Sequence, residues 1–519
     1  MREDYHPSMR TARGTGIRHS VPRFIQRWLM LLPVCAGLAA CAMIHHDSPP
    51  AALIPQDQIR LADDIHLASE GWPSARWWEH YHDPQLEALI ERGLSHAPTL
   101  AIAREHVSQA RAQVELVRAG SDLQISAIGE VDREHVSGHG FLSAYASKDA
   151  AIGAYGPWYW TGLVGVDAHY DIDLWGKQRD LVRAALGEQN ARRAEAAQAE
   201  LEVSTGIAQL YYQIQIVYAS LDLLQQLRSV EALELDTETA RHERGLVAVT
   251  QSAKARAQLL ALDQQIASSR EQIVQTREAL RALLGDGPDD LPLIRAVALP
   301  APSAGLPATL SFELLGRRPD LEAMRWLIEA SFDRVDSAKA AFYPSFDITA
   351  FFGFNALRMR DLFTHTAEQI NLIPGLYLPI FDGGRLNAGL HGARTASNTL
   401  IEQYNEAVLD AVRDVAQTGS QIDDLDDRAQ LQHERIDALR VESDSTEAQY
   451  ERGLADRTAS IQAKAPVIEG QIALLQLNGD ELEAEIVLTR ALGGGYRSDD
   501  LPARPPVPPV PPLAASGAN

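Results

Sequence analysis

Cys41 is the residue whose neighbours prescribe a covalent reaction. Leu38-Ala39-Ala40-Cys41 sets small residues directly before a cysteine, at the end of an almost wholly apolar run from Trp28 to Ala40. Arg10, Arg13, Arg18, Arg23 and Arg27 precede that run. Residues 1–40 therefore read as an export signal whose apolar part is too short to span a bilayer as a helix. The lipobox pattern predicts cleavage before Cys41, with acyl chains on its sulfur and its new amino group. An ordinary signal with an incidental cysteine is the alternative, and Met9 is a second candidate start. Cys35 lies within the signal, so the mature chain forms no internal disulfide. Ala42 rather than Asp follows the lipid site, which by the usual sorting rule favours the outer membrane.

Other reactive constellations are missing from the sequence. No GxSxG, HExxH, P-loop or CxxC pattern occurs, and the 16 histidines form no ligand cluster. His45-His46 and His80-Tyr81-His82 fall in a linker and read as solvated surface. Neither catalytic residues nor a metal is expected, and the covalent lipid stands in place of a cofactor. Removing residues 1–40, which hold six basic and two acidic side chains, takes the net charge from −23 to about −27. Such a chain repels a phosphate backbone, which excludes nucleic acid as a partner.

The carboxylates that remain are ordered by the elements that carry them. Leu123, Ile125, Ala127, Gly129 and Val131 alternate with Gln124, Ser126, Glu130 and Asp132, and Val164 to Leu174 alternate with Asp167, His169, Asp171 and Asp173. The later pair runs Phe346 to Phe354, across from Asp347, and then Ile370 to Ile380. Period-two patterning predicts four strands, at about 123–136, 159–175, 344–356 and 369–381, each with one apolar face. Glu130, Asp132, Asp167 and Asp347 then face a watery lumen. There they either bias it toward cations or simply solvate it. Ser137 to Pro157 reads as a long extracellular loop, and Trp158-Tyr159-Trp160 as an interfacial aromatic belt.

The whole unit is written twice. Pro98 and Pro319, each opening a helix, lie 221 residues apart, as do Leu123 and Pro344, where those helices are expected to end. Beyond the strands the offset becomes 208: Gly176 matches Gly384, and Glu243-Arg244-Gly245-Leu246 recurs as Glu451-Arg452-Gly453-Leu454. The thirteen-residue difference falls between Leu123 and Gly176, in the predicted outer loop. Lys177 to Glu243 contains no proline, and a helix of that length extends about 100 Å. Val203, Ile207, Leu210, Ile214, Val217, Leu221 and Leu224 form a heptad seam, with Ala411, Val415, Thr418, Ile422, Leu425, Ala429 and Gln432 in register 208 later. Four strands cannot close a barrel, and an open edge in lipid leaves backbone groups unpaired. Three copies close it; a soluble sandwich is the alternative.

At these residues the chain resembles the outer-membrane factors of tripartite efflux pumps, the TolC-like superfamily, and within it the NodT-like lipoprotein branch of fusaric acid and aromatic-compound exporters. Asp171-Ile172-Asp173-Leu174-Trp175-Gly176-Lys177, Ala338-Lys339-Ala340-Ala341-Phe342-Tyr343-Pro344, Leu378-Pro379-Ile380-Phe381-Asp382-Gly383-Gly384-Arg385 and Ala491-Leu492-Gly493-Gly494-Gly495-Tyr496 carry the resemblance, which covers about Trp77 to Tyr496. It implies a fold that is mostly α with a membrane β-barrel: a homotrimer with a twelve-stranded barrel continued by a long helical barrel. It further implies a periplasmic membrane-fusion adaptor docking on the helical turns, here Arg244, Gly245, Leu246, Arg452, Gly453 and Leu454. On shape alone, each glycine simply ends a helix. Just beyond the turns, family members often carry carboxylates that narrow the pore. Here those positions hold Thr250 and Gln251, then Thr458, Ala459 and Gln462, so a neutral constriction is expected, with Asp456 and Arg457 as possible substitutes.

The expected layout is a signal (1–40), a lipid-anchored linker (41–82), a first repeat (83–285), an equatorial connection (286–312), a second repeat (313–495) and a Pro-rich tail (496–519). The expected function is a passive outer-membrane duct, lipid-anchored in contact with outer-membrane lipid and reaching into the periplasm. It would export small toxic or aromatic compounds and drugs delivered by an inner-membrane transporter of the RND, MFS or fusaric-acid-resistance type. The alternative is the outer-membrane duct of a type I protein secretion system.

Overall fold

The computed structural model describes residues 47–54, 72–152, 154–300 and 316–497. Cys41, the middle of the predicted linker, residues 301–312 of the equatorial connection and nearly all of the tail lie outside the described residues. The chain divides into two units: Leu123–Lys177 with Ser337–His391 make one, and Pro49–Asp122, Gln178–Asp336 and Gly392–Asn519 contribute to the other.

The first unit is an antiparallel sheet of β1 (Gln124–His135), β2 (Trp158–Ile172), β3 (Ser345–Ala356) and β4 (Glu368–Tyr377), in that spatial order. β1 and β3 have 12 residues each and begin 221 apart. Two strands end earlier than expected. β2 stops at Ile172, before Leu174, and β4 stops at Tyr377, before Leu378 and Ile380. In β4 the cause is local: Pro379 lacks a ladder donor, and the Asp382 carboxylate accepts from the Gly384 and Leu386 amides to start the next helix. In β2 the Leu174 amide turns back to the Ile172 carbonyl. Beyond it the Trp175 indole donates to the Pro344 carbonyl at 2.7 Å and stacks on Tyr343.

The β1–β2 connection is ordered rather than a bare loop. It holds a single-turn helix at Ser143–Ala146 and a short pairing of Lys148–Asp149 with Ala154–Tyr155. Tyr159 leaves the expected aromatic belt for this task. It is buried, its hydroxyl donates to the Tyr145 carbonyl at 2.7 Å and it accepts from the Tyr155 amide.

The second unit is helical. α1 (Pro84–His96) is capped by Asp83, whose carboxylate accepts from the Gln85 and Leu86 amides. α2 (Pro98–Ala119) and α5 (Pro319–Ala340) are repeat partners of 22 residues, each opened by its proline and ending four residues before the expected limit. α3 (Lys177–Glu243) and α6 (Arg385–Glu451) have 67 residues each, so the repeat copies length as well as pattern. α4 (Val249–Leu284) runs unbroken, whereas its counterpart splits into α7 (Arg457–Gln462) and α8 (Ala465–Ala491). Pro466 explains the break, since it cannot donate to the Gln462 carbonyl.

The seam of α3 is the core of this unit. Val203, Ile207, Ile214, Val217, Leu221 and Leu224 are all buried, with Leu210 partly so. In α6, Ala411, Val415, Thr418, Leu425 and Ala429 are buried at the matching positions. An N-terminal stretch lies along α6. The Ala51 amide donates to Asn398 and the Ile54 amide to Asn405, which returns a bond to the Ala52 carbonyl. Seven helical residues rise about 10 Å and three extended ones span about the same, so the two asparagines meet matching amides.

Candidate functional site: a two-faced sheet and paired helical turns

Register assigns every strand residue to a face. Ile125 pairs with Ala168, Ala127 with Val166, Val166 with Phe352, and Phe352 with Ile370. This face is apolar and open: Ile125, Val131, Phe352, Ile370, Leu372 and Leu376 are all exposed. Each of the four predicted lumen carboxylates falls on the opposite face, in register with Leu163 (Glu130), Thr161 (Asp132), Ser126 (Asp167) and Gly375 (Asp347). Glu134 and Asp171 join them, Asp171 directly across from Asp347. Like charges opposite one another are unfavourable, and the two carboxylates meet different neighbours. Asp171 lies 3.4 Å from the His169 Nε2, and the Asp347 carboxylate lies over Gly375, where a Cβ would collide with it. Ile128, Leu163, Phe351 and Ile373 share this face, so it is mixed in polarity, but its six strand carboxylates meet no lysine or arginine of the four strands.

The sheet is also unfinished. Among the described residues β1 pairs with β2 alone and β4 with β3 alone, which leaves an open edge on each outer strand. Among the described residues, no helix is long and apolar enough to cross a membrane and no group of three acidic, His or Cys residues is arranged to hold a metal.

In the helical unit, both Arg-Gly-Leu turns close in the same way. Gly245 has φ 69°, its amide reaches the His242 carbonyl, and the Leu246 amide reaches that of Arg241. Gly453 has φ 75°, with Tyr450 and Gln449 as the corresponding acceptors. These are Schellman turns, whose last residue ordinarily packs back on the helix. Here it does not. Leu246 is 67% exposed and Leu454 75%, beside exposed Arg244 and Arg452.

The residues expected at a constriction do not behave alike. Thr250 and Gln251 are exposed at the start of α4. Thr458 is instead buried, donating to Glu238 at 2.8 Å and accepting from Arg241 at 2.7 Å. It joins α7 to α3. Gln462 donates to Glu234 at 2.7 Å. Asp456 caps α7 through the Ala459 amide and lies 3.3 Å from Arg241, so it has structural duties of its own.

Acids missed in the sequence stand behind these contacts. Glu231, Glu234 and Glu238 are buried on α3. The signal was present: after a second step of three from Leu224 to Leu227, positions 227, 231, 234 and 238 resume the alternating four and three spacing, with glutamate where leucine would serve packing. Burial raises the Glu231 pKa, and Glu234 and Glu469 raise it further.

Comparison with known proteins places this geometry. The family model described as "Outer membrane efflux protein" matches residues 89–286 and 310–494. The chain belongs to the outer membrane efflux protein family. The multidrug resistance outer membrane protein MdtP of Shigella flexneri is 49% identical over 480 residues, covering 91% of this chain and 98% of that one. MdtQ of an Escherichia coli O6:H1 strain, also named a multidrug resistance outer membrane protein, is 36% identical over 469 residues, 90% of this chain and 97% of the relative. Among solved structures, the outer membrane protein VceC of Vibrio cholerae superposes with a TM-score of 0.71 at 28% identity, over 82% of this chain and all of VceC. The outer-membrane channel OprN shares the fold, with a TM-score of 0.75 at 21% identity over 87% of this chain and 99% of its own. As an outer membrane efflux protein, the chain is an outer-membrane channel component of an efflux system.

Proposed function

We propose that three copies of this chain assemble into one outer-membrane duct through which small toxic compounds and drugs leave the cell passively. The observation that carries this reading is the sheet: four strands with one apolar face, an opposite acid-bearing face and, among the described residues, two unpaired edges. Lipid forbids open edges, and three sheets joined edge to edge supply twelve strands and remove them. The relatives named for multidrug resistance favour drug export over the alternative of a protein-secretion duct. No catalytic role is assigned to any residue.

The two exposed Arg-Gly-Leu turns serve as the docking surface for a periplasmic adaptor, which joins the duct to an energised inner-membrane transporter of the RND, MFS or fusaric-acid-resistance type. Thr250, Gln251 and Gln462 stand at the periplasmic constriction, with Thr458 acting from behind it. Cys41 carries the lipid anchor, consistent with the lipobox and with membership in the NodT-like lipoprotein branch. The test is export by cells whose own copy is deleted and which carry either the unaltered chain or Leu246→Asp with Leu454→Asp. The unaltered chain should restore extrusion of a fluorescent drug. The double variant should reach the outer membrane and yet fail. Full export by the double variant would remove the turns from the docking surface, and no rescue by the unaltered chain would remove the export role.

A further inference from the structure

Arg133 is a cation set where the apolar face of the sheet ends. Strand alternation sends Glu130, Asp132 and Glu134, its acidic neighbours in sequence, to the opposite face, while Val131, Arg133 and His135 share the apolar one. Among the described residues no carboxylate pairs with the guanidinium. Its contacts are two indoles: Cζ lies 4.9 Å from the Trp158 ring centroid and 5.3 Å from that of Trp160. Glu368 is the acid of this face, but it opens β4, level with Gly129 rather than Arg133, and lies three strand spacings, about 14 Å, across the sheet. Arg358 and Arg360, in the β3–β4 connection, differ in that both lie against Asp361, at 2.6 and 3.6 Å.

The two indoles are themselves unusual. Trp158 and Trp160 are 54% and 52% exposed on the outward face, and the His135 ring meets Trp158 edge to face at 4.7 Å. Cation–π contacts hold a guanidinium in place and leave its N–H fork unfilled. That fork matches the oxygens of a phosphate. The position is also defined by depth. This end of the sheet carries both long connections, residues 136–157 and 357–367, whereas the other end leads within a few residues to α2 and α3. Long connections face outward in outer-membrane barrels, and tryptophan marks the lipid–water interface. A phosphate at that depth belongs to the phosphorylated glycolipid of the outer leaflet.

We propose that Arg133, bracketed by Trp158 and Trp160, binds a phosphate of the outer-leaflet glycolipid. The inference rests on the reading that the apolar face meets lipid. The test titrates the full-length protein, purified in detergent, with bis-phosphorylated lipid A, with dephosphorylated lipid A and with phosphatidylglycerol. Bound lipid is counted by native mass spectrometry for the unaltered chain, Arg133→Gln and Arg133→Lys. Loss of one charge-assisted contact predicts about tenfold weaker lipid A binding for Arg133→Gln, with Arg133→Lys in between. Dephosphorylated lipid should bind the unaltered chain as weakly as lipid A binds Arg133→Gln. Equal binding by all three proteins, or equal binding of phosphatidylglycerol, overturns the site. So does unchanged lipid A binding with a less heat-resistant oligomer, which would mean that Arg133 meets a carboxylate of a second copy. Planar-bilayer conductance is read alongside. Its absence from every protein overturns the barrel reading, whereas conductance with unchanged lipid A binding overturns the phosphate site alone.

Discussion

Single residues here act through the face or turn they occupy. Asp132 and Asp167 matter because register sets them on the acidic side of the sheet, so Asp132→Asn with Asp167→Asn should lower the cation-to-anion permeability ratio, measured from reversal potentials across a salt gradient. An unchanged ratio would mean that they merely solvate the surface. Gly453 holds φ 75° with open space around it. Gly453→Ala should therefore cost about 1 kcal/mol through backbone strain alone, without a clash, read as faster hydrogen exchange at the turn. Glu231 has a pKa raised by burial and by Glu234 and Glu469. A raised carboxyl pKa means that the folded state binds the proton more tightly than the unfolded one. The stabilisation is complete below the unfolded value and is lost as pH rises through the folded one. Exchange of α8 amides around Glu469 should therefore speed up as pH rises above the ordinary carboxylate range, beyond its intrinsic chemical rate. Glu231→Gln should flatten that rise; an unaltered profile would show that the charge of Glu231 does not strain this contact.

At the scale of elements, what could be read from the sequence followed periodicity, and what could not depended on contacts between segments. The strands show in alternation and the long helices in the seam, because both patterns are imposed by burial along one element. The ends of β2 and β4 were less visible, since the apolar alternation runs on through Leu174 and through Leu378 and Ile380 while the backbone has already turned. The contacts of Thr458 were hidden for a related reason: its partners Glu238 and Arg241 are more than 200 residues away, and a threonine in a single sequence does not reveal which helix it will meet. The shared face of Glu130, Asp132, Asp167 and Asp347 was legible because strand parity alone decides it. Ile214, fully buried on the α3 seam, should cost about 2–5 kcal/mol as Ile214→Ala. Asp456→Ala should cost about 1 kcal/mol through the lost cap of α7. Thermal melting of the purified protein ranks the two, and a larger effect from the cap would mean that the seam is not the core of this unit.

For the whole molecule, repeated length is the organising fact. α3 and α6 match at 67 residues while the strand connections differ, as expected if two helical arms must cover one distance and the loops are free to vary. The sheet supplies the complementary constraint, because it has too few strands to close and edges that lipid does not tolerate. Under the proposed assembly, association of copies closes the sheet and the conduit follows from it. The most direct measurement is single-channel conductance of the full-length protein, purified as its native oligomer and added to a planar bilayer. Discrete, cation-favouring conductance steps from a trimer are predicted. A monomer that inserts and passes no current would contradict the account at its centre.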